Sequence, residues 1–439
     1  MTDNLWSRAG ILALGLCLAL GSAAWAVQSK TPTNTSVMPV VIKGAQAPAL
    51  IGESPLRLSA FSCASGSPKP IHFQVDDVNA NGDIVAPDST DELIADEKPG
   101  IIDATDELVM MLTAFGPHCT DEQLSRVTGD LYLIEISSDL LKAPGYVYVL
   151  HSEKGFVPSG GAVHYDAKTH TVKTSAYLWG YRPEQPFNYD RMAYTDLQGN
   201  GYKDIFDRLK VRFTVRPVGG LVTIHENEDD FDSRLLSMRV GPVRAVRELG
   251  IDITAVPGFA VPARVTFLHY ERFWQAKVRF TMPGRAALFT SSMDFQLLHD
   301  FTGLKGLKFS TSALPQGSVI DGQMIEIEKS LEFGPEPWYM LSGRGLNQIT
   351  VVELDPNLKL TAAAVLYDSE TVEDPPEEFP GGLPSLGYQF LGMEGLEART
   401  YHFNAHIGVL PSFPERGGTG FYRTLHTPID VKVSKYAAK

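Results

Sequence analysis

The chain has 439 residues, of which 44% are hydrophobic, 10% aromatic and 21% charged, proportions that exclude a disordered, collagenous or coiled-coil protein. Its 38 basic and 52 acidic residues give a net charge of −14, which leaves no basic excess for a nucleic-acid surface and argues against that partner. With 39 glycines and 29 prolines, turns should be frequent and long helices few.

Residues 1–26 read as an export signal. Arg8 supplies the positive start, Ala9 to Ala24 is almost wholly apolar, and Ala24-Trp25-Ala26 is a small-x-small site that places cleavage before Val27. The apolar run falls short of the roughly 20 residues that a membrane span needs, the alternative being an uncleaved N-terminal anchor. Leu16 stands before Cys17 where lipoprotein processing wants a small residue. No later stretch approaches a span, so the mature chain is expected to be periplasmic or secreted, without a transmembrane segment. Residues 27–36 are polar and are expected to form a flexible mature N-terminus. In an oxidising compartment the two remaining cysteines, Cys63 and Cys119, are expected to pair, with two buried thiols as the alternative. Such a bridge closes a loop of about 55 residues and contributes roughly 3–4 kcal/mol.

The next signals are mostly strands. Val37–Lys43, Leu56–Cys63, Ile71–Val75, Leu131–Ile136 and Gly145–Leu150 are short apolar runs between turn residues, and Lys210–Arg216 (KVRFTVR) alternates strictly. Asp106-Glu107 leading into LVMMLTAF predicts a helix with acids at its positive end, and Thr120–Gln123 reads as a capping box before a short one. Gly417–Gly420 (GGTG) lacks a phosphate-loop lysine and reads as a turn. Glu226–Asp232 reads as a solvated loop, and the Pro-rich Glu373–Pro384 as a loop over a groove. The fold class expected is mainly β, an antiparallel sandwich with a small helical insertion near 105–130. An N-terminal β-rich domain is expected over 37–208 and a C-terminal β-sandwich domain over 209–439.

Two segments have the spacing of calcium loops. In the first, Asp77, Asn79 and Asn81 occupy positions 1, 3 and 5, Gly82 position 6 and Asp88 position 12, with Asp83 between. In the second, Asp196, Gln198, Asn200, Asp204 and Asp207 stand at positions 1, 3, 5, 9 and 12, Gly201 at 6, and Tyr202 offers a carbonyl at 7. Alternate oxygen donors facing one centre, a glycine at the sharp turn and a closing acid are what Ca²⁺ coordination asks for. The first loop resembles the EF-hand type, although Asp88 is shorter than the usual glutamate. Asn-Gly pairs also favour simple β-turns.

Catalytic signals are sparse. No G-x-S-x-G elbow, H-E-x-x-H or Walker loop occurs. His269-Tyr270-Glu271-Arg272 gathers residue types used on uronic acids, so His269, Tyr270 and Arg272 are the catalytic candidates, against a strand whose aromatics face the core. His402, His406 and His426 are a weaker zinc possibility.

Two further segments, PIHFQVDDVNANGD followed by DATDELVMML within residues 71–112, and GPVRAVREL from Gly241, carry a resemblance. The first resembles exported β-rich bacterial proteins, and the second is similar to bacterial proteins of carbohydrate-active β-supersandwich folds. The resemblance implies export and a β fold, with no catalytic residue to transfer. The function expected is a calcium-stabilised binding or envelope-associated module, with a carbohydrate or an exported protein as partner. The alternative is a carbohydrate-active enzyme, lyase or mutarotase-like.

Overall fold

Strands whose side chains alternate between two apolar sets need cover on both faces, and the large central sheet of this protein obtains it. The computed structural model describes residues 34–86, 95–153, 158, 160–218, 223–256, 259–284, 290–371 and 374–437. Residues 1–26, read above as an export signal, and residues 27–33 lie outside them.

The large sheet has nine antiparallel strands. Their spatial order is Asp232–Val240, Ala245–Val256, Phe259–His269, Phe273–Thr281, Thr400–Val409, Leu346–Leu354, Trp338–Gly343, Lys308–Thr311 and Ser318–Val319. A six-stranded antiparallel sheet faces it, ordered Ile224–Asn227, Phe206–Pro217, Thr290–Phe301, Ser385–Leu391, Thr361–Tyr367 and Leu331–Glu332. Trp274, Ala276 and Phe280 point between these sheets and pack with Leu209, Phe213, Phe301 and Tyr388. Phe273, one residue out of phase, points the other way and joins a second core with Val40, Ile42, Leu108, Ile134 and Val149. The fold is therefore an antiparallel β-sandwich with a further β layer on the back of its larger sheet.

That back layer comes from both chain ends. Pro39–Lys43, Glu107–Met111 and Gln74–Asp76 make a three-stranded sheet, and Asp430–Lys435 pairs with Asp130–Ser137 at the edge of a five-stranded one. The strand Phe206–Pro217 runs through the expected division at 208/209, and residues 32–439 form one compact unit. Within the stretch expected to be flexible, Asn34 and Thr35 are buried.

The Cys63–Cys119 disulfide is present, with Cα atoms 5.5 Å apart, beside Phe61, Leu131 and Tyr148. Among the described residues no helix is long and apolar enough to cross a membrane.

Three local expectations need correction. The helix predicted from Asp106 is instead the strand Glu107–Met111 followed by a 3₁₀ turn, Leu112–Ala114. Leu108, Val109 and Met110 are all fully buried, so the run fills both faces of a strand where a helix would bury one stripe. The GGTG segment opens the helix Gly417–His426. A Cβ on Gly418 would lie 2.3 Å from the Trp338 ring, so glycine is what lets this helix rest on the sheet. Within Glu226–Asp232, Glu228 is buried and accepts hydrogen bonds from Val211 N (2.9 Å) and Arg212 Nη1 (2.8 Å), while Phe231 enters the first core. The Thr120 capping box forms as read, with Thr120 Oγ1 accepting from Gln123 N (3.3 Å) and Gln123 Oε1 from Thr120 N (2.7 Å).

The two segments that carried the resemblance dock on one another. Gln74 Oε1 accepts from the amides of Val243 (3.0 Å) and Arg244 (2.9 Å), and the Arg244 guanidinium binds Asp76 (2.8 Å), Glu107 (2.5 Å) and the Tyr270 hydroxyl (2.9 Å). Arg239 adds a bond from Nε to Asp76 Oδ1 (2.7 Å), and Lys43 caps Glu107 (2.6 Å). These motifs are the polar joint between the back layer and the large sheet.

Candidate functional site

The six-stranded sheet turns one set of side chains into the sandwich core and the other outward. On Phe206–Pro217 the outward set includes Lys210 and Arg212, and on Thr290–Phe301 it includes Gln296 and Asp300. Tyr367 and Ser385, at the ends of the two neighbouring strands, share that face. Over it passes the loop from Asp374 to Pro384, the groove-covering element expected from its prolines; Glu373 lies outside the described residues.

Ionic contacts fasten the loop to the sheet. Lys210 Nζ donates to Asp300 Oδ2 (2.7 Å), Glu377 Oε1 (3.1 Å) and the Asp374 carbonyl (2.8 Å). Arg212 Nε holds Asp374 Oδ1 at 3.0 Å, and the Asp207 carboxylate accepts from the amides of Glu378 (3.0 Å) and Phe379 (3.1 Å). Between loop and sheet a cavity of about 250 Å³ remains, lined by Lys210, Arg212, Asp300, Asp374 and Glu377 with Gln296, Ser369, Ser385, Tyr367 and Phe379. Phe379 is 55% exposed at its mouth.

The two carboxylates that share Lys210 differ in proton affinity. Burial pushes Asp300 up to about 6 against the pull of Lys210. Burial also pushes Glu377 up, but the Asp374 amide and Lys210 outweigh it and leave Glu377 below its usual range. Opposed shifts within one cavity are how a site separates a proton donor from an acceptor.

The catalytic candidates of the 269–272 segment do not meet. Strand alternation sends His269 into the first core, where its Nε2 faces the Tyr181 hydroxyl (2.6 Å) and burial lowers its pKa to about 3. Tyr270 points into the second core and accepts from Arg244. Arg272 forms a two-pronged pair with Asp196, at 2.6 and 3.4 Å.

That last contact bears on calcium. In the second loop Asp204 Oδ1 accepts from the amides of Met192 (2.9 Å) and Phe206 (3.1 Å), and Asp207 turns to the 374–384 loop. Asn200 Nδ2 donates to the Lys203 carbonyl, the Tyr202 hydroxyl donates to the Thr174 carbonyl under Lys173, and the Gln198 backbone N–H donates to the Arg344 carbonyl. In the first loop Asp77 pairs with Arg239 (3.2 Å) and Asp83 with Arg279 (2.8 Å) and Arg264 (3.8 Å). Asn79 Oδ1 accepts from the amides of Asn81 (3.0 Å) and Asp83 (2.9 Å), closing a tight turn. Asp88 lies outside the described residues. In the second loop Asp196, Asp204 and Asp207 are thus engaged by groups outside a shared centre, and in the first Asp77 and Asp83 are held by arginines. Among the described residues, the carboxylates of Asp96, Glu97 and Asp103 lie within 4.8 Å of one another beside the first loop, where Glu97 Oε1 accepts from the Ala80 amide (3.1 Å).

Of the three histidines, His406 Nε2 and His426 Nε2 bind the two oxygens of Glu353, at 2.9 and 2.8 Å. His402 stands four residues along the same strand, opposite Arg279.

Lys210, Arg212 and Asp300 were missed as site residues. Alternation in KVRFTVR fixes that its three basic residues share a face, but nothing local tells that Lys210 and Arg212 lie beneath a loop some 160 residues downstream.

No protein-family model matches the chain, and no curated protein does. Among solved structures it is similar to an α-N-acetylgalactosaminidase from Bifidobacterium bifidum, with 9% identity over 54% of this chain and a TM-score of 0.34. It is also similar to an α-mannosidase from Enterococcus faecalis (8% identity over 92%, TM-score 0.38) and to a glycosyl hydrolase family 38 protein from that organism (9% over 92%, TM-score 0.41). The chain spans 36%, 47% and 48% of those proteins, and likeness of this degree assigns it no activity.

Proposed function

We propose that the protein is an exported carbohydrate-binding β-sandwich that takes a polar saccharide unit in the cavity beneath the 374–384 loop. The observation that carries this reading is the lining: the rings of Tyr367 and Phe379 stand beside hydroxyl, amide, carboxylate, ammonium and guanidinium groups in one cavity. A pyranose presents C–H faces that stack on aromatic rings and a rim of hydroxyls that need both donors and acceptors. A wholly apolar ligand would leave those polar groups unpaired. The disulfide supports an oxidising compartment, and with it export. Calcium binding would require the arginines to release Asp77, Asp83 and Asp196, and saccharide binding does not depend on it.

Calorimetric titration with a panel of mono- and oligosaccharides tests the reading. At least one neutral or amino sugar should bind, and Tyr367→Ala should weaken it about tenfold or more, as loss of a stacking surface does. A panel without heats, or equal affinity in the variant, refutes it.

A second reading, glycoside cleavage in the same cavity, is favoured by the opposed shifts of Asp300 and Glu377. Two carboxyl groups, one protonated and one ionised, are the equipment of glycosidases. In that case Asp300→Asn abolishes turnover of an aryl glycoside while sugar binding persists, and the wild-type rate falls as pH rises through about 6. A rate unaffected by Asp300→Asn excludes it.

A further inference from the structure

Antiparallel register sets Arg234, Gly250, Arg264, Arg279 and His402 side by side across five adjacent strands of the large sheet. Like charges placed directly opposite destabilise a sheet, and here Arg264 faces Arg279, with Asp83 of the first loop paired to both at 3.8 and 2.8 Å. The chain as a whole carries −14, so this local excess of guanidinium groups is not a reflection of its composition. A rule of sheet packing broken at one place is where a site is to be sought.

The rung lies on the back of the large sheet, on the same face as Glu248 and Thr266 one rung away. Gly250 is buried beneath Arg234, whose guanidinium a Cβ there would meet at 3.3 Å, so the missing side chain lets Arg234 lie across the strand toward Arg264. Beside it is a cavity of about 270 Å³ lined by Arg234, Arg264, Arg279, Asp252, Thr281 and Pro262, among others. Asp252 holds Arg234 at 3.1 Å with the arginine side chain still 62% exposed, and Asp83 reaches Arg279 from the first loop. Carboxylates of the chain itself thus already hold these guanidinium groups, Asp252 from the neighbouring rung and Asp83 from the first loop, which shows the chemistry they accept.

We infer that this cavity is a second binding site, separate from the one under the 374–384 loop, and that it takes an acidic sugar through its carboxylate. Arginine forks match a carboxylate in two-pronged fashion. The Asp252 carboxylate and Thr281 hydroxyl supply partners for ring hydroxyls, and Pro262 supplies an apolar surface, which a bare inorganic anion would not use.

Digalacturonate, titrated calorimetrically into the mature protein at about 0.1 M salt, is the probe, with galactobiose as its neutral counterpart. Digalacturonate should bind, and any heat from galactobiose should be unchanged in Arg234→Gln. Arg234→Gln should weaken it at least tenfold with an unchanged unfolding midpoint, and Tyr367→Ala should leave it unaffected. Arg264→Gln serves as a second variant. No binding of digalacturonate, an equal loss of galactobiose binding in the arginine variants, indifference to both arginine variants, or displacement by inorganic sulfate at equal concentration overturns the inference. Loss of binding in Tyr367→Ala overturns it too, by moving the acidic sugar to the other cavity.

Discussion

Arg244 is the residue whose removal is most informative about how the layers hold together. It is fully buried and binds Asp76 and Glu107, themselves 0% and 5% exposed. Replacing it with methionine keeps the bulk and removes the charge. Breaking a buried pair by deleting one partner costs about 3–5 kcal/mol, because the other charge stays buried. Asp76 keeps Arg239 and Gln74, and Glu107 keeps Lys43, which places the expected loss for Arg244→Met near 3 kcal/mol. The pH dependence supplies a sharper test. Burial alone pushes the Glu107 carboxyl up, and Arg244, with Lys277 and Lys43, reverses this and leaves it at about 2. A depressed folded-state value stabilises the fold above the unfolded value, and that stability is lost as pH falls through the folded one. In urea unfolding, therefore, the gap between wild type and Arg244→Met should shrink by about 1 kcal/mol between neutral pH and about pH 3.5. Glu107→Gln in the variant background should cost less than in the wild type, since the two residues act as a pair. A penalty under about 1 kcal/mol, or one that does not change with pH, refutes the reasoning.

Three other outcomes are expected. Removing the disulfide with Cys63→Ala and Cys119→Ala should cost roughly 3–4 kcal/mol in denaturant unfolding, and an unchanged midpoint would mean the bridge constrains little. Gly241→Ala places a Cβ 2.1 Å from Gln74 Oε1, so it should disrupt the docking of the two motifs and lower the melting temperature by several degrees; retention of the wild-type value would show that Gln74 can move aside freely. Because Asp77 and Asp196 are taken up by arginines, Asp77→Ala and Asp196→Ala should destabilise the protein equally in EDTA and in millimolar calcium. A calcium-dependent rise in the wild-type midpoint, lost in either variant, would restore that loop as a metal site.

What the sequence determined by itself was the strand content, the short capped helix at Thr120 and the pairing of Cys63 with Cys119. These follow from period-two alternation, from side chains three residues apart and from a count, all local properties. It also marked the FQVD and GPVRAVREL segments, without revealing that Gln74 and Arg244 in them bind each other. Where the run LVMM was apolar at every position, local pattern could not choose between helix and strand, and two flanking strands decided it. The glycines of GGTG read as a turn because their use, close approach to Trp338, exists only once the helix is packed. Calcium-like spacing in both loops was legible, but where Asp77, Asp83 and Asp196 point was settled by arginines at least 76 residues away. The two cavities were invisible for the same reason. Lys210 meets Glu377, and Arg234 lines up with Arg279, only through sheet register and loop closure, which join residues that no sequence window contains.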